Sequence, residues 1–202
     1  MGDRPLVAIP IRSFDGAKTR LAGALSDTGR AALGRALAAR TAWIARDAGA
    51  DTLIVAGRAD VAEWSERAGF PSILQPADAV GLDGAATIGI ETAVAHRRRG
   101  FVLHADLPWI DAGVLRRVYA CDGPVIAPSH DGGTSLIGGI DASFPFAYGT
   151  ASFHRHLAAM QHATIVVDVS LALDLDRSAD LVRAQRSPSG RWMHRWLVTT
   201  DG

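Results

Sequence analysis

Three short apolar runs, Leu6–Ile11 (LVAIPI), Thr52–Ala56 (TLIVA) and Phe101–Ala105, are each followed by a segment of helical character. Runs this short, without polar alternation, are the pattern of strands covered on both faces. Their alternation with helices restricts the chain to a mostly parallel sheet between two helical layers. Ser26 is placed to cap a helix running to about Ala48, with Leu33, Leu37 and Ile44 on one face and Gly49 as the stop. Asp60 and Glu63 have capping-box spacing for a helix ending near Gly69. Ser72–Gln75 reads as a third strand, Gly81–Gly84 as a turn, and Ala85–His96 as a helix. After Phe101–Ala105, Asp111 can cap the next helix.

From Val125 the apolar runs come closer together: Val125–Ala127, Thr134–Ile137, Ile165–Val169 and Leu171–Leu175. That spacing predicts antiparallel additions to the sheet. Ser152–Met160 and Ser178–Gln185 complete the helices. The expected fold is an α/β, three-layer αβα sandwich over residues 1–186, with a tail over 187–202 that could add an edge strand at Trp196–Thr199. The apolar tail, with Trp192 and Trp196, is also consistent with a homodimer.

Lys+Arg and Asp+Glu both number 21, so the formal net charge is zero and gives no reason to expect nucleic acid or an anionic membrane as partner. The cluster Arg97–Arg99 reads as a helix end, where cations favour the dipole. The single Cys121 excludes an intrachain disulfide and a multi-cysteine metal site. No apolar run approaches the ~20 residues of a membrane span, and the N-terminus lacks the pattern of a signal peptide. A cytoplasmic location is the default expectation.

Chemistry concentrates where strands end. In open α/β sheets, ligands bind at the carboxyl edge of the strands. Pro108 stops the strand that leads to Asp106, so a carboxylate is delivered to that edge. The loop after the first strand carries Arg12, Gly16, Lys18, Thr19 and Arg20, where phosphates are held in such folds; the P-loop spacing is absent. On its own this reads equally as a solvated basic loop. Asp174 and Asp176 lie two apart, so in an extended segment both face one way. With Asp106 they make a carboxylate set of the kind Mg²⁺ accepts beside phosphate oxygens, although Asp176 also reads as a helix cap. Gly149, Thr150 and Ser152 precede a helix N-terminus that can take an anion, with Thr134 near it. His154 and His156 read as surface histidines, and His104 as a packed residue or one behind the site.

Four segments, in order, carry a resemblance. AIPIRSFDGAKTRL (Ala8–Leu21), HADLPWI (His104–Ile110), FAYGTASFHRHL (Phe146–Leu157) and LDLDRSADL (Leu173–Leu181) resemble the guanylyltransferases of coenzyme F-420 biosynthesis. Those enzymes activate 2-phospho-L-lactate, phosphoenolpyruvate or 3-phosphoglycerate with GTP. They have the nucleotidyltransferase fold also found in molybdenum-cofactor guanylyltransferases, similar to nucleotide-diphospho-sugar transferases. The resemblance implies that Arg12, Lys18 and Arg20 hold the triphosphate, and that Gly81 and Asp83 lie near the guanine nucleoside. It implies Mg²⁺ on Asp106, Asp174 and Asp176, and the acceptor on Thr134, Gly149 and Ser152. Lys18, Arg20 and Asp106 are the residues it makes catalytic.

The chain also departs from that pattern. Asp131-Gly-Gly-Thr-Ser135 stands where the family usually has GTGTN, Asp83 where Asn is usual, and Arg12 where Lys is common. Asp131 would repel an anionic acceptor, so it either turns to solvent or hydrogen-bonds an acceptor hydroxyl. The expected reaction is guanylyl transfer from GTP to a small phosphorylated carboxylic acid. The alternatives are a nucleotidyltransferase using CTP or another acceptor, a non-catalytic nucleotide-binding paralogue, and a sugar-nucleotide glycosyltransferase.

Overall fold

The computed structural model describes residues 4–196. Among these residues there are seven strands: β1 (Leu6–Ile11), β2 (Asp51–Ala56), β3 (Ser72–Leu74), β4 (Gly100–Leu103), β5 (Val125–Pro128), β6 (Thr134–Gly138) and β7 (Thr164–Ile165). They form one sheet in the order β3-β2-β1-β4-β6-β5-β7. β1 runs parallel to both β2 and β4, and β2 parallel to β3. β6 is inserted between β4 and β5, antiparallel to each, while β7 pairs parallel with β5.

The apolar runs explain the layers. Along β1, Val7 and Ile9 face one helical layer and Ala8 the other, and all three are buried. The first layer holds α1 (Asp27–Asp47), α2 (Ala59–Arg67), α4 (Ala112–Ala120) and α6 (Val169–Ala172). The second holds α3 (Gly81–Ala95) and α5 (Ser152–Ala159). The expected αβα sandwich is the fold that forms. Ser26 caps α1 by accepting from Gly29 N at 3.2 Å, and Asp111 caps α4 by accepting from Gly113 N at 2.8 Å.

Several boundaries differ from expectation for local reasons. α3 begins at Gly81, so Gly81-Leu-Asp-Gly84 is its first turn and not a turn before it. Arg58, not Asp60, takes the N-cap of α2, and Asp60 pairs with the Arg58 guanidinium. The strand expected at Ile165–Val169 is only Thr164–Ile165. Leu171–Leu175 is not a strand. Asp168 accepts from Ser170 N at 2.9 Å and starts the short α6, whose Leu171 enters the core. This cap and the burial of Leu171 override the apolar run's strand preference.

The tail does not hang free. After α7 (Ser178–Arg186), Pro188–Trp196 forms 3-10 turns, and Met193 is buried with Leu33 and Leu37 of α1 and with Leu181 of α7. Trp192 Nε1 donates to Pro108 O at 3.2 Å. Trp192 is therefore engaged by its own chain, which removes it as a reason to expect a homodimer. Of the edge strand expected at Trp196–Thr199, residues 197–199 lie outside the described residues. Among the described residues, no helix is long and apolar enough to cross a membrane.

α3 lies almost directly on β1. A Cβ added at Gly89 would come within 2.2 Å of Ala8 Cβ. Gly89→Ala gains helix propensity, about 1 kcal/mol, but cannot be accommodated without shifting the helix. The expected result is net destabilisation of about 1–3 kcal/mol, as for overpacked cores, measured by urea unfolding.

Candidate active site

The carboxyl ends of β1 and β4 lie side by side, and the loops that leave them form the site. Lys18, at the end of the β1 loop, has a left-handed backbone with φ 53. Its ammonium donates to Leu175 O at 2.6 Å and to Asp106 Oδ2 at 3.3 Å. Leu175 N donates back to Asp106 O at 3.0 Å. The basic loop, the post-β4 loop and the C-terminal Asp174–Asp176 segment are thus tied at one point. Arg20 forms an ion pair with Asp176.

Burial raises the affinity of Asp106 for a proton, but the Lys18 ammonium and His104 outweigh it and hold the carboxyl below its ordinary value. Asp174 has the opposite balance. Burial and the charge of Asp106 push it up to about 6, with Asp131 adding to the effect and His130 opposing it. His130 Nδ1 lies 3.2 Å from Asp174 Oδ1, yet that oxygen is buried and accepts no hydrogen bond. A buried carboxylate oxygen without a donor, beside a second carboxylate, suits a hard cation. The full set implied by the sequence does not assemble, however. Among the described residues no three acidic, His or Cys side chains converge on one metal position. Asp176 is instead turned to Arg20; residues 173–176 do not form a strand, so the alternation that would put both side chains on one face is absent.

Two adjoining cavities share Pro10, Ile11, Arg12 and Leu82. One, of about 350 Å³, is lined by Lys18, His104, Asp106 and Asp176. The other, of about 630 Å³, is bounded by Gly57, Gln75, Val80 and Gly81. Gln75 Nε2 donates to Gly81 O at 2.8 Å and also to Ala79 O, which holds the loop before α3 in shape. A Cβ at Gly57 would sit 2.7 Å from Arg12 O, so only glycine lets β2 pass this close to the β1 loop. Asp83 does not open onto this cavity. Its Oδ1 accepts from Tyr148 N at 2.7 Å and braces the loop before α5.

The acceptor residues implied by the sequence are placed differently. Thr134 and Ser152 are each 1% exposed and His156 is 0% exposed. His156 Nε2 accepts from Ala147 N at 2.9 Å. The neutral ring therefore carries its proton on Nδ1 and donates to Thr134 Oγ1, 2.9 Å away. Ser152 Oγ donates to the same Thr134 oxygen at 3.3 Å. The α5 amides of Ser152 and Phe153 are taken by Gly149 O and Gly132 O. Gly149 itself is exposed, with φ +112. The expected anion site on Thr134 and Ser152 is thus an internal network in this structure. Asp131 takes the first of its two expected orientations, exposed to solvent: its Oδ1 accepts from Gly133 N at 2.9 Å and from Ser129. His156 is not a surface residue. It lies one helical turn after Ser152, on the same inward face; the i, i+4 spacing was visible in the sequence. His130, Gln75 and Gly57 carry no such signal.

This arrangement, basic β1 loop against strand-end carboxylates beside a nucleoside-sized cavity, is that of an α/β nucleotidyltransferase. A protein of Desulfovibrio desulfuricans G20 described as a nucleotide-diphospho-sugar transferase superposes with a TM-score of 0.72 at 18% identity, covering 98% of each chain, and supports the fold. Residues 6–194 match the family described as "Guanylyl transferase CofC like". The chain belongs to that family. It is 32% identical to the phosphoenolpyruvate guanylyltransferase of Rubrobacter xylanophilus, over 89% of this chain and 92% of the relative. It is 32% identical to the 3-phospho-D-glycerate guanylyltransferase of Phenylobacterium zucineum, over 91% and 90%. Identity to the 2-phospho-L-lactate guanylyltransferase of Halobacterium salinarum is 31%, over 82% and 77%.

Two measurements test the electrostatics. Burial lowers His156 to about 4 from 6.5; Asp83 pulls it upward, and Arg155 and His104 push it further down. The unfolded chain therefore binds the extra proton between those values. Stability is full above pH 6.5 and falls toward pH 4, and His156→Gln should flatten part of that fall in melting temperature. Asp174→Asn removes a carboxylate that the fold disfavours. At pH 7 it should raise the melting temperature by roughly 2–4 °C, the response to about 1 kcal/mol in a chain of this size, and a drop would contradict the assignment.

Proposed function

We propose that the protein transfers the guanylyl group of GTP to a small phosphorylated carboxylic acid, releasing pyrophosphate, in coenzyme F-420 biosynthesis. The observation that carries this reading is Lys18 facing Asp106 at the sheet edge, in a cavity that continues into a nucleoside-sized one. The triphosphate lies along Arg12, Lys18 and Arg20, and the guanine in the cavity bounded by Gln75 and Gly81. Because GTP is made and used in the cytoplasm, that is the expected location.

Asp106 and Asp174 would hold Mg²⁺, a hard cation that favours carboxylate oxygens. Bound there, the ion supplies neutralisation of phosphate charge. The chain's own residues do the rest. Lys18 and Arg20 are paired with Asp106 and Asp176 in the free protein. A triphosphate replaces those carboxylates as the partner of both cations. An acceptor phosphate oxygen attacks the α-phosphorus in line; the new P–O bond forms as the bond to the β-phosphate oxygen breaks. Lys18 and Arg20 then face the negative charge that develops on pyrophosphate. Positioning and charge compensation suffice, without a covalent nucleophile.

The test is pyrophosphate release with each of the four nucleoside triphosphates and each of the three phosphoacids named for the relatives. GTP should be preferred. Asp106→Asn keeps the shape but removes a charge, and should lower kcat by a few hundred-fold, about 3–4 kcal/mol of transition-state stabilisation. Near-normal turnover by this variant would remove Asp106 from the reaction, and no preference for GTP would remove the guanine assignment.

A further inference from the structure

Six buried side-chain polar atoms among the described residues have no hydrogen-bond partner, and His104 Nε2, Tyr148 Oη and Asp174 Oδ1 are three of them. Native proteins rarely leave such atoms unpaired, because the group has given up water for nothing. His104 belongs to the lining of a cavity, where a bound group can complete the bonding. Asp174 is accounted for by the cation proposed above. His104 and Tyr148 have no part in that scheme. Their ring centroids are 5.6 Å apart, and His104 lines the same cavity as Lys18 and Asp106. Tyr148 is held in place from behind: its N–H donates to Asp83, and its ring meets His156 edge-on at 4.8 Å.

The chemistry of the two groups narrows what completes them. An imidazole nitrogen and a phenol can each donate or accept, so together they match a group that does both, a hydroxyl. At His104 the charges of Asp106 and Asp131 are each felt more strongly than that of Lys18, which disfavours a further anionic group there. An uncharged hydroxyl meets no such penalty. Asp131 Oδ1 already serves Ser129 and Gly133 N. The Ser152 hydroxyl donates to Thr134 Oγ1, which also bonds His156.

We propose that His104 Nε2 and Tyr148 Oη form a hydroxyl-reading subsite, and that the acceptor is a phosphoacid that keeps a free hydroxyl, as 3-phosphoglycerate does. Phosphoenolpyruvate and 2-phospholactate carry their phosphate on the oxygen at carbon 2 and have no free hydroxyl. This rests on the guanylyl-transfer reading above. A site built to bond a hydroxyl strongly rejects the analogue that lacks it, because its own polar groups are then left unpaired.

The experiment compares wild type with Tyr148→Phe on the three acids, by steady-state pyrophosphate release with GTP and by calorimetry of each acid. Wild type should use 3-phosphoglycerate with kcat/KM roughly a hundredfold or more above the other two. Tyr148→Phe should lower kcat/KM for 3-phosphoglycerate alone by about tenfold, as expected for one lost hydrogen bond, with the KM for GTP unmoved. Its melting temperature should not fall, because the hydroxyl has no partner in the free protein. A preference of wild type for a hydroxyl-free acid, an equal loss on all three acids, or a lowered melting temperature would overturn the subsite. If no acid is guanylylated, the functional reading fails. Calorimetry still decides the subsite: tighter binding of 3-phosphoglycerate that Tyr148→Phe abolishes upholds it, and equal binding of the three acids overturns it.

Discussion

The Lys18 ammonium is the contact on which the site depends. It joins the β1 loop to Leu175 O and to Asp106, stretches of chain separated by 157 and 88 residues. A lysine 11% exposed must have its charge met. Here a carbonyl and a carboxylate meet it, and Leu175 N returns a bond to the Asp106 backbone. One cation thus sets the separation between the phosphate loop and the carboxylates. It also lowers Asp106 while Asp174, which lacks such a partner, is raised to about 6. Two aspartates at one sheet edge thus differ in proton affinity, because Lys18 lowers Asp106 while burial and the charge of Asp106 raise Asp174.

The rest of the edge divides between polar groups that are complete and groups that are not. Thr134, Ser152 and His156 satisfy one another, and Arg155 gathers the carbonyls of Ala147, Tyr148 and Thr150. That half is a rigid wall. His104, Tyr148 and Asp174 each keep a buried polar atom without a partner. Rigid support behind and unsatisfied atoms in front is the arrangement by which a site is pre-organised for its ligand, since the wall fixes the open groups before anything binds.

The antiparallel β6 makes this wall possible. By entering between β4 and β5 it brings Ser135 O to His104 N at 2.9 Å, and it sets Thr134 opposite α5. A purely parallel sheet would put a crossover helix here and would not return the chain to the edge so soon after β5.

Much of this was legible in the amino-acid sequence, and the limit falls at a physical boundary. Leu6–Ile11, Asp51–Ala56 and the capped helices after Ser26 and Asp111 follow from local patterning, which fixes element type wherever the apolar run and the cap agree. The end of the strand near Asp106 and the basic β1 loop are local too, so the kind of site could be read, and four ordered segments indicated the family. Leu171–Leu175 could not be read, because its fate depends on Asp168 capping a turn and on Leu171 finding the core. Nor could the partners of Asp176, Thr134 and Ser152. Whether a hydroxyl or carboxylate faces a ligand or another side chain is decided by groups distant in the chain, and only tertiary packing brings those groups within hydrogen-bonding distance.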